Sequence, residues 1–392
     1  MKEINIEKKL SHPSNPININ SPADRFIEEF DSFEYSKKSY EGFTLAMKYI
    51  IKYQHKKSEF LKRYYKMLGF NPNSINKYSD LEKIPFVFVN NFKERNLTTL
   101  KPWEIVLELK SSQTSGKSSK ISLDLPSLIR VRRMSFKIFN ALRCVDLNNI
   151  YHYICFTYDP LVANDVGTAW TDKLLTSFTK SGGSIYYAFK WNESKGEFYF
   201  DIEGCINTLK EYEEKKVPVR LIGFPAFALK TTEEYKKKFG RYPVLNPLSF
   251  VITGGGWKTL ENEAIDKKIY RRILADNLSI PVENVRDLYG MVEHGVAYVD
   301  CELGNFHIPI YGKVIARDPL SFKNLGYNKK GLLQFITPYL SSYPSFSLLS
   351  SDWGIIREGC KCKIKGPVLE IIGRAGIRKL KGCAITASQM LK

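Results

Sequence analysis

PLSFVITGGGWK, residues 247 to 258, is a short apolar run that leads directly into three consecutive glycines. An apolar run of this length bounded by turn-forming residues predicts a buried strand. Gly254, Gly255 and Gly256 would let a flat ligand lie against bare backbone, whereas a simple turn seldom needs three glycines. Because ligands of open α/β sheets bind beyond the carboxyl ends of the strands, this stretch predicts a strand that ends in a binding loop.

The segments around this strand alternate between short apolar runs and amphipathic helices. Further strands are predicted in YHYICFTY, PVRLIGF and ENVRDLYG, and helices between them in IEGCINTLKEYEEKK and LENEAIDKKIYRRILADN. This alternation is typical of an α/β fold built on a central sheet.

The two ends of the chain have different patterns. Residues 23 to 70 repeat apolar residues at helical spacing and end at Gly69, so we expect a helical N-terminal segment. After Val296 the sequence becomes rich in strand and turn signals. We therefore expect one large domain over residues 1–372, with residues 1–95 mostly helical, and a short tail over residues 373–392.

Composition and charge restrict the classes of partner. The chain has 392 residues and a net charge of +18, from 59 Lys and Arg against 41 Asp and Glu. The lysines are interleaved with acids, as in EEKK, and no nucleic-acid-binding motif accompanies them, so we expect a solvated surface and no nucleic-acid partner. The sequence contains no run of about 18 apolar residues, so we expect no membrane span. The polar N-terminus MKEINIEKKL does not resemble a signal peptide, and we expect a cytoplasmic protein.

Two further segments could bind phosphate. SSQTSGKSSK, residues 111 to 120, offers hydroxyls, backbone N–H groups and lysines that can donate to oxyanions. It is not a Walker loop, because Ser111 stands where that motif requires glycine, and an exposed polar turn is an equal alternative. DLYGMVEHG, residues 287 to 295, carries Tyr289, which could stack on a base, and Glu293, which could bind magnesium.

The succession of SSQTSGKSSK, TGGGWK, YGMVEHG, SDWG and GRAG resembles the adenylate-forming enzymes, which activate carboxylic acids with ATP. IPFVFVNNFK, RLIGFP, VITGGGWK and KGCA resemble more specifically the LuxE-type acyl-protein synthetases of bacterial luminescence. The resemblance extends over residues 84–391. It implies the large N-terminal domain of an adenylate-forming enzyme, ATP and Mg²⁺ as cofactors, a fatty acid substrate and a partner similar to an acyl-CoA reductase.

The resemblance also implies roles for individual residues. Five residues of the serine-rich segment correspond to the phosphate loop: Ser112, Thr114, Ser115, Gly116 and Lys117. The adenine would pack on Gly254, Gly255 and Gly256. The segment around the base and the acyl carboxylate would be Tyr289, Gly290 and Met291. Glu293 would bind magnesium, and Asp352 would bind the ribose hydroxyls. Arg374 would be the arginine near the hinge.

The sequence also departs from the pattern of this superfamily. Gln113 replaces a loop glycine, Val292 a threonine, and Gly376 stands near the position of the hinge aspartate. Ten residues follow Gly382, which leaves no room for the typical small C-terminal domain with its catalytic lysine. This length favours an acyl-protein synthetase over an acyl-CoA ligase related to phenylacetate–CoA ligases. A non-catalytic nucleotide-binding subunit is the alternative from a different class.

Cys383, in the KGCA motif, is the candidate acyl acceptor. Lys379 and Lys381 precede it, and nearby cations lower the pKa of a thiol. The following AITASQML could form a short helix whose N-terminus would favour the thiolate. By resemblance, this cysteine would take the acyl group from acyl-AMP as a thioester and present it to a reductase. The alternative is a small buried residue.

The other six cysteines fall into two groups. Cys144, Cys155 and Cys205 lie in apolar or helical patterns and are expected to be ordinary buried residues. An odd number of cysteines without a signal peptide indicates reduced thiols. The remaining residues could form a closed tetrahedral zinc site, although their spacing is not that of a standard finger: Cys301, His307, Cys360 and Cys362. Unligated surface thiols are the alternative.

Overall fold

The structure is a computed structural model that describes residues 10–110, 120–159, 167–256 and 265–375. The predicted phosphate-loop residues Ser112 to Lys117, as well as Cys383, lie outside these ranges. The α-helices are α1 (Pro22–Glu29), α2 (Lys37–Lys57), α3 (Glu59–Leu68), α4 (Asn91–Glu94), α5 (Leu125–Ala141), α6 (Gly167–Thr176), α7 (Ile202–Glu214), α8 (Pro225–Phe239) and α9 (Lys267–Leu278).

The strands of the first half are β1 (Val87–Phe88), β2 (Leu107–Lys110), β3 (Lys120–Leu123), β4 (Asp146–Ile150), β5 (His152–Tyr158), β6 (Thr179–Lys180), β7 (Ile185–Asn192) and β8 (Glu197–Phe200). Those of the second half are β9 (Val219–Gly223), β10 (Phe250–Gly254), β11 (Val285–Tyr289), β12 (Tyr298–Val299), β13 (Phe306–His307), β14 (Lys313–Arg317), β15 (Lys330–Ile336), β16 (Ser347–Arg357) and β17 (Val368–Arg374). Short 3₁₀ helices span Tyr78–Lys83, Pro102–Glu104 and Val282–Asn284.

The first sheet has the strand order β12-β11-β10-β9-β5-β7-β8. Its five inner strands, β11 to β7 in that order, are parallel, and each edge strand is antiparallel to its neighbour. The carboxyl ends of β10 and β11 therefore lie side by side at one edge of the sheet. This arrangement confirms the predicted alternation of strands and helices.

Both faces of this sheet are covered, because successive side chains of its strands point to opposite sides. In β5, Ile154 and Phe156 pack in the core with α7, α8 and α9, whereas Tyr153 and Cys155 pack in the core with α5 and α6. The result is a layered α/β architecture, as predicted. Cys144, Cys155 and Cys205 are fully buried, which confirms the prediction for these three residues.

The second sheet has the order β13-β17-β16-β15-β14, with antiparallel neighbours, and β1 adds to β16 in parallel. This is the β-rich part predicted after Val296. It shares a hydrophobic core with the N-terminal helices, where Phe26 meets Tyr311 edge to face with ring centroids 6.0 Å apart. The buried amide of Gln54 donates to the carbonyl of Ser341 at 2.6 Å.

The helical N-terminal segment consists of three helices where the periodicity alone indicated one stretch. Ser36 and Ser58 begin α2 and α3, since each side chain accepts a hydrogen bond from the backbone N–H three residues later. Gly69 ends α3 with a left-handed φ of +62°, as its position predicted. No helix in the described part of the chain is long and apolar enough to cross a membrane.

Candidate active site

The three glycines lie where β10 ends. A Cβ atom on Gly254 would come within 2.6 Å of the Leu288 carbonyl oxygen on the neighbouring strand, so only glycine fits there. Gly255 and Gly256 have φ values of +80° and +67°, a region that glycine adopts at little cost. A Cβ on Gly256 would meet no atom of the described residues within 4 Å. The strand therefore ends in bare backbone that a flat ligand could approach.

Tyr289, at the end of β11, reaches across to the second sheet. Its hydroxyl donates to Oδ2 of Asp352 at 2.7 Å, and Nε of Arg374 lies 3.7 Å from Oδ1 of the same carboxylate. Burial and the neighbouring Asp352 raise the pKa of Tyr289, so the hydroxyl remains a donor at neutral pH. Asp352 and Arg374 are register partners on β16 and β17. The contact joins three predicted site residues from two sheets.

Glu293 lies in the turn that follows β11 and is only 3% exposed. No hydrogen bond among the described residues involves its carboxylate, which is unusual because buried carboxylates are normally paired or bound to a cation. It interacts electrostatically with Lys93, as do Asp352 and Arg374. Gly290 is exposed beside it, and Met291 is partly buried against two of the hydrophobic clusters.

Lys93 was not assigned a role from the sequence, although its segment IPFVFVNNFK contributed to the resemblance. It lies on α4 and is partly buried. Burial lowers the pKa of Lys93 and Arg374 lowers it further, whereas Glu293 and Asp352 raise it. The signal in the sequence was a lysine next to an apolar segment, which does not identify neighbours that are 200 or more residues away.

A second lysine, Lys267, forms ion pairs with Asp287 of β11 and with the neighbouring Asp300. Its Nζ lies 3.2 Å from Oδ2 of Asp287 and 3.0 Å from Oδ2 of Asp300, and the Asp287 N–H donates to Oδ1 of Asp300 at 3.0 Å. Burial raises the pKa of Asp287 although Lys267 opposes this shift. These contacts hold Tyr289, two residues further along the strand, in place.

The four residues predicted to bind metal come together at the junction of the two sheets. Their ligand atoms all lie within 4.8 Å of one another: Cys301, His307, Cys360 and Cys362. Cys301 follows β12, His307 is in β13, and the two other cysteines lie in the turn between β16 and β17. The Sγ atoms of Cys301 and Cys360 are 3.8 Å apart, and His307 Nε2 lies 3.1 Å from Cys362 Sγ.

Burial and hydrogen bonds act in opposite directions on the pKa values of the three thiols in this cluster. Burial acts to raise the pKa of Cys301, but hydrogen bonds from His307 and from backbone N–H groups leave it lowered overall. The pKa of Cys360 is also lowered. Burial acts to raise it, but hydrogen bonds from the Cys362 N–H and the Asn305 amide, among others, lower it. Burial raises the pKa of Cys362 to about 12. Cys301 and His307 are both buried, so the alternative of a surface thiol does not hold for Cys301.

The fold is similar to that of solved structures of 2-hydroxyisobutyryl-CoA ligase. Its complex with 2-HIB-AMP and CoA in the thioesterification state matches with a TM-score of 0.65 at 14% identity, covering 94% of this chain and 74% of that chain. An open conformation of the same enzyme matches with a TM-score of 0.64 at 14% identity, covering 93% of this chain and 80% of that chain. The chain therefore shares the α/β fold of this CoA ligase, as predicted for the large domain of an adenylate-forming enzyme.

Within that class, the chain belongs to the LuxE family of acyl-protein synthetases: the family model described as "Acyl-protein synthetase, LuxE" matches residues 13–392. The long-chain-fatty-acid–luciferin-component ligase of Aliivibrio fischeri is 23% identical over 331 residues, 84% of each chain. Its counterpart in Vibrio harveyi is 24% identical over 313 residues, 79% of each chain. The protein is a ligase, which confirms the resemblance and the enzyme class predicted from its motifs.

Proposed function

We propose that this ligase activates a long-chain fatty acid with ATP, forming acyl-AMP and pyrophosphate, and then transfers the acyl group to its own Cys383. The observation that carries the first step is the site at the ends of β10 and β11. There, bare glycine backbone, the Tyr289–Asp352 hydrogen bond and the buried carboxylate of Glu293 lie together in a chain of the acyl-protein synthetase family.

In the first step a carboxylate oxygen of the acid attacks the α-phosphorus and pyrophosphate leaves. Gly254, Gly255 and Gly256 would contact the face of the adenine. Asp352, oriented by Tyr289, would accept hydrogen bonds from the ribose hydroxyls. Ser112, Thr114, Ser115, Gly116 and Lys117 are proposed to contact the phosphates. Arg374 lies beside Asp352 at the edge of the same site, where we propose it acts near the hinge.

Glu293 fits the proposed role of magnesium ligand. A buried carboxylate that accepts no hydrogen bond from the described residues keeps its oxygens available for a cation. Magnesium bound there would reduce the repulsion between the phosphate oxygens and the incoming carboxylate.

Acid-dependent exchange of labelled pyrophosphate into ATP tests the first step. We expect exchange with a long-chain fatty acid and magnesium, and little exchange without acid. Absence of exchange with acids of any chain length would contradict the proposal and favour a non-catalytic nucleotide-binding subunit. Formation of acyl-CoA after addition of CoA would favour the acyl-CoA ligase alternative.

The second step and its partner are supported by the family and by the sequence around Cys383. Lys379 and Lys381 would favour the thiolate, and the thioester would be delivered to a protein similar to an acyl-CoA reductase. A thioester is less reactive than acyl-AMP but is still an activated acyl group, so it is a suitable form for reduction by a partner.

We also propose that the Cys/His cluster binds a structural Zn²⁺. Zinc–sulfur bonds of about 2.3 Å in a tetrahedron place two sulfurs about 3.8 Å apart, and Cys301 and Cys360 are separated by 3.8 Å. Three thiolates and one imidazole would complete the site without an open position. The ion would join the turn between β16 and β17 to β12 and β13, and so brace the hairpin that carries Asp352 and Arg374.

Protein purified without chelator is expected to contain about one zinc per chain by elemental analysis. Cys360→Ser should reduce the zinc content several-fold and lower Tm, because metal binding stabilises only the folded state. Cys205→Ala is the matched control: it removes a thiol that is fully buried away from the cluster and should leave the zinc content unchanged. Absence of zinc from the unaltered protein would refute the proposal.

A further inference from the structure

The geometry points to Lys93 as a catalytic residue whose ammonium group offsets negative charge on the α-phosphoryl oxygens while acyl-AMP forms. This inference rests on the proposed function and adds to it a residue from the N-terminal part of the chain. The carboxylate and the triphosphate are both anions, so a cation fixed between them would lower the barrier to their reaction.

The backbone around Lys93 is held by the second sheet. β1 pairs in parallel with β16, and the Val89 N–H extends this pairing by donating to the Leu349 carbonyl at 3.0 Å. The chain then turns into α4, whose Phe92 is 3% exposed and meets Tyr343 edge to face with centroids 6.1 Å apart. A side chain that follows such an anchored residue is positioned by packing.

This anchored turn packs against β3 and shares a hydrophobic cluster with residues next to Glu293. α4 packs against β3, the strand that begins directly after the serine-rich segment 111–119. Phe92 belongs to the same hydrophobic cluster as Ile121 of β3, and Met291 and Val292 pack against that cluster. Lys93 therefore follows a residue that packs with β3 and with Met291 and Val292, which directly precede Glu293.

The charges around Lys93 fit the same role. Among the described residues, its electrostatic neighbours include Glu293 and Asp352, the proposed magnesium and ribose ligands, and Arg374. Desolvating an ammonium group is costly, so a partly buried lysine requires negative charge nearby. A triphosphate bound at the strand ends would add more negative charge than the two carboxylates provide, and would strengthen the protonated state of Lys93.

The reaction balances without a proton transfer. A carboxylate oxygen forms a bond to the α-phosphorus, and the bond from that phosphorus to the bridging oxygen of the β-phosphate breaks. Pyrophosphate leaves with the electron pair. Lys93 remains an ammonium group throughout, and its contribution is greatest where charge accumulates on the α-phosphoryl oxygens.

The test compares Lys93→Met with Lys93→Arg, and uses Lys77→Met, on an exposed residue of the same N-terminal segment, as the control. With a fatty acid, ATP and magnesium, Lys93→Met is expected to reduce the maximal rate of pyrophosphate exchange about 100-fold, the usual cost of one such donor. Lys93→Arg should retain more activity than Lys93→Met, and Lys77→Met should behave like the unaltered protein. Lys93→Ala should regain activity when a short alkylammonium ion is added.

The rescue distinguishes catalysis from folding, because an added ammonium ion replaces the lost charge but does not repair a destabilised fold. If the unaltered protein exchanges pyrophosphate and Lys93→Met keeps its rate within about threefold, the inference is wrong and the proposed function stands. Loss of activity in all three Lys93 variants without rescue also overturns the inference. If the unaltered protein shows no acid-dependent exchange, the proposed function fails and this inference fails with it.

Discussion

Glu293→Gln is expected to lower the maximal rate of acid-dependent pyrophosphate exchange by about 1,000-fold, equivalent to about 4 kcal/mol of transition-state stabilisation. Glutamine keeps the size of the side chain and removes the negative charge that would hold magnesium. Since Glu293 is 3% exposed, solvent has little access to replace that charge. The magnesium concentration that gives half-maximal rate should also rise.

The magnesium titration separates this role from a structural one. Glu283→Gln removes an exposed carboxylate close by in the sequence and should change neither the rate nor the magnesium dependence. If Glu293→Gln lowers the rate but leaves the magnesium titration unchanged, Glu293 does not bind the metal. If both quantities stay within about threefold of the unaltered protein, it has no part in the first step.

The parts of the fold that could be predicted from the sequence are those specified locally. The strand that ends at Gly254 is an apolar run followed by glycines, and the close approach of Leu288 explains why glycine is required there. The break between α2 and α3 was also locally specified, by Ser58 as the N-cap of α3. Helical periodicity alone does not reveal such a break, because apolar spacing continues across it.

The long-range contacts could not be derived from periodicity. Tyr289 and Asp352 are 63 residues apart in sequence, and their hydrogen bond depends on how two separate sheets meet. Resemblance to a family named both residues, but it did not provide their contact. Lys93 was missed for the same reason, since a parallel pairing of β1 with β16 brings its segment to the second sheet, which carries Asp352. The Cys/His cluster had a non-standard spacing because two distant turns contribute to it.

Cys383→Ser is expected to abolish the hydroxylamine-sensitive acyl adduct that forms when the protein is incubated with ATP, magnesium and labelled fatty acid. Pyrophosphate exchange should be retained, because the thiol acts only after acyl-AMP has formed. A serine hydroxyl without an adjacent base is a poor nucleophile, whereas a thiolate near lysines is a good one. The expected result is loss of the covalent label with little change in the first step.

The structure supports this expectation for three of the other cysteines, which are fully buried. Burial raises the pKa of Cys144 to about 11 and also raises those of Cys155 and Cys205, so these thiols stay protonated and enclosed. The remaining three belong to the Cys/His cluster, where bound zinc would occupy their sulfurs. Of the seven cysteines in the chain, Cys383 is therefore the one for which we propose nucleophilic chemistry.

Ser388→Ala, in the same C-terminal tail, is the matched control and should be labelled like the unaltered protein. Cys205→Ala should also retain its label, since that thiol is fully buried. If Cys383→Ser exchanges pyrophosphate and still forms the adduct at the normal level, another residue accepts the acyl group. The cysteines of the Cys/His cluster would then be examined next, because Cys301 and Cys360 are the described thiols whose pKa values are lowered. Their reaction would require the cluster to be free of zinc, so the zinc content of the labelled protein would distinguish a structural cluster from a reactive one.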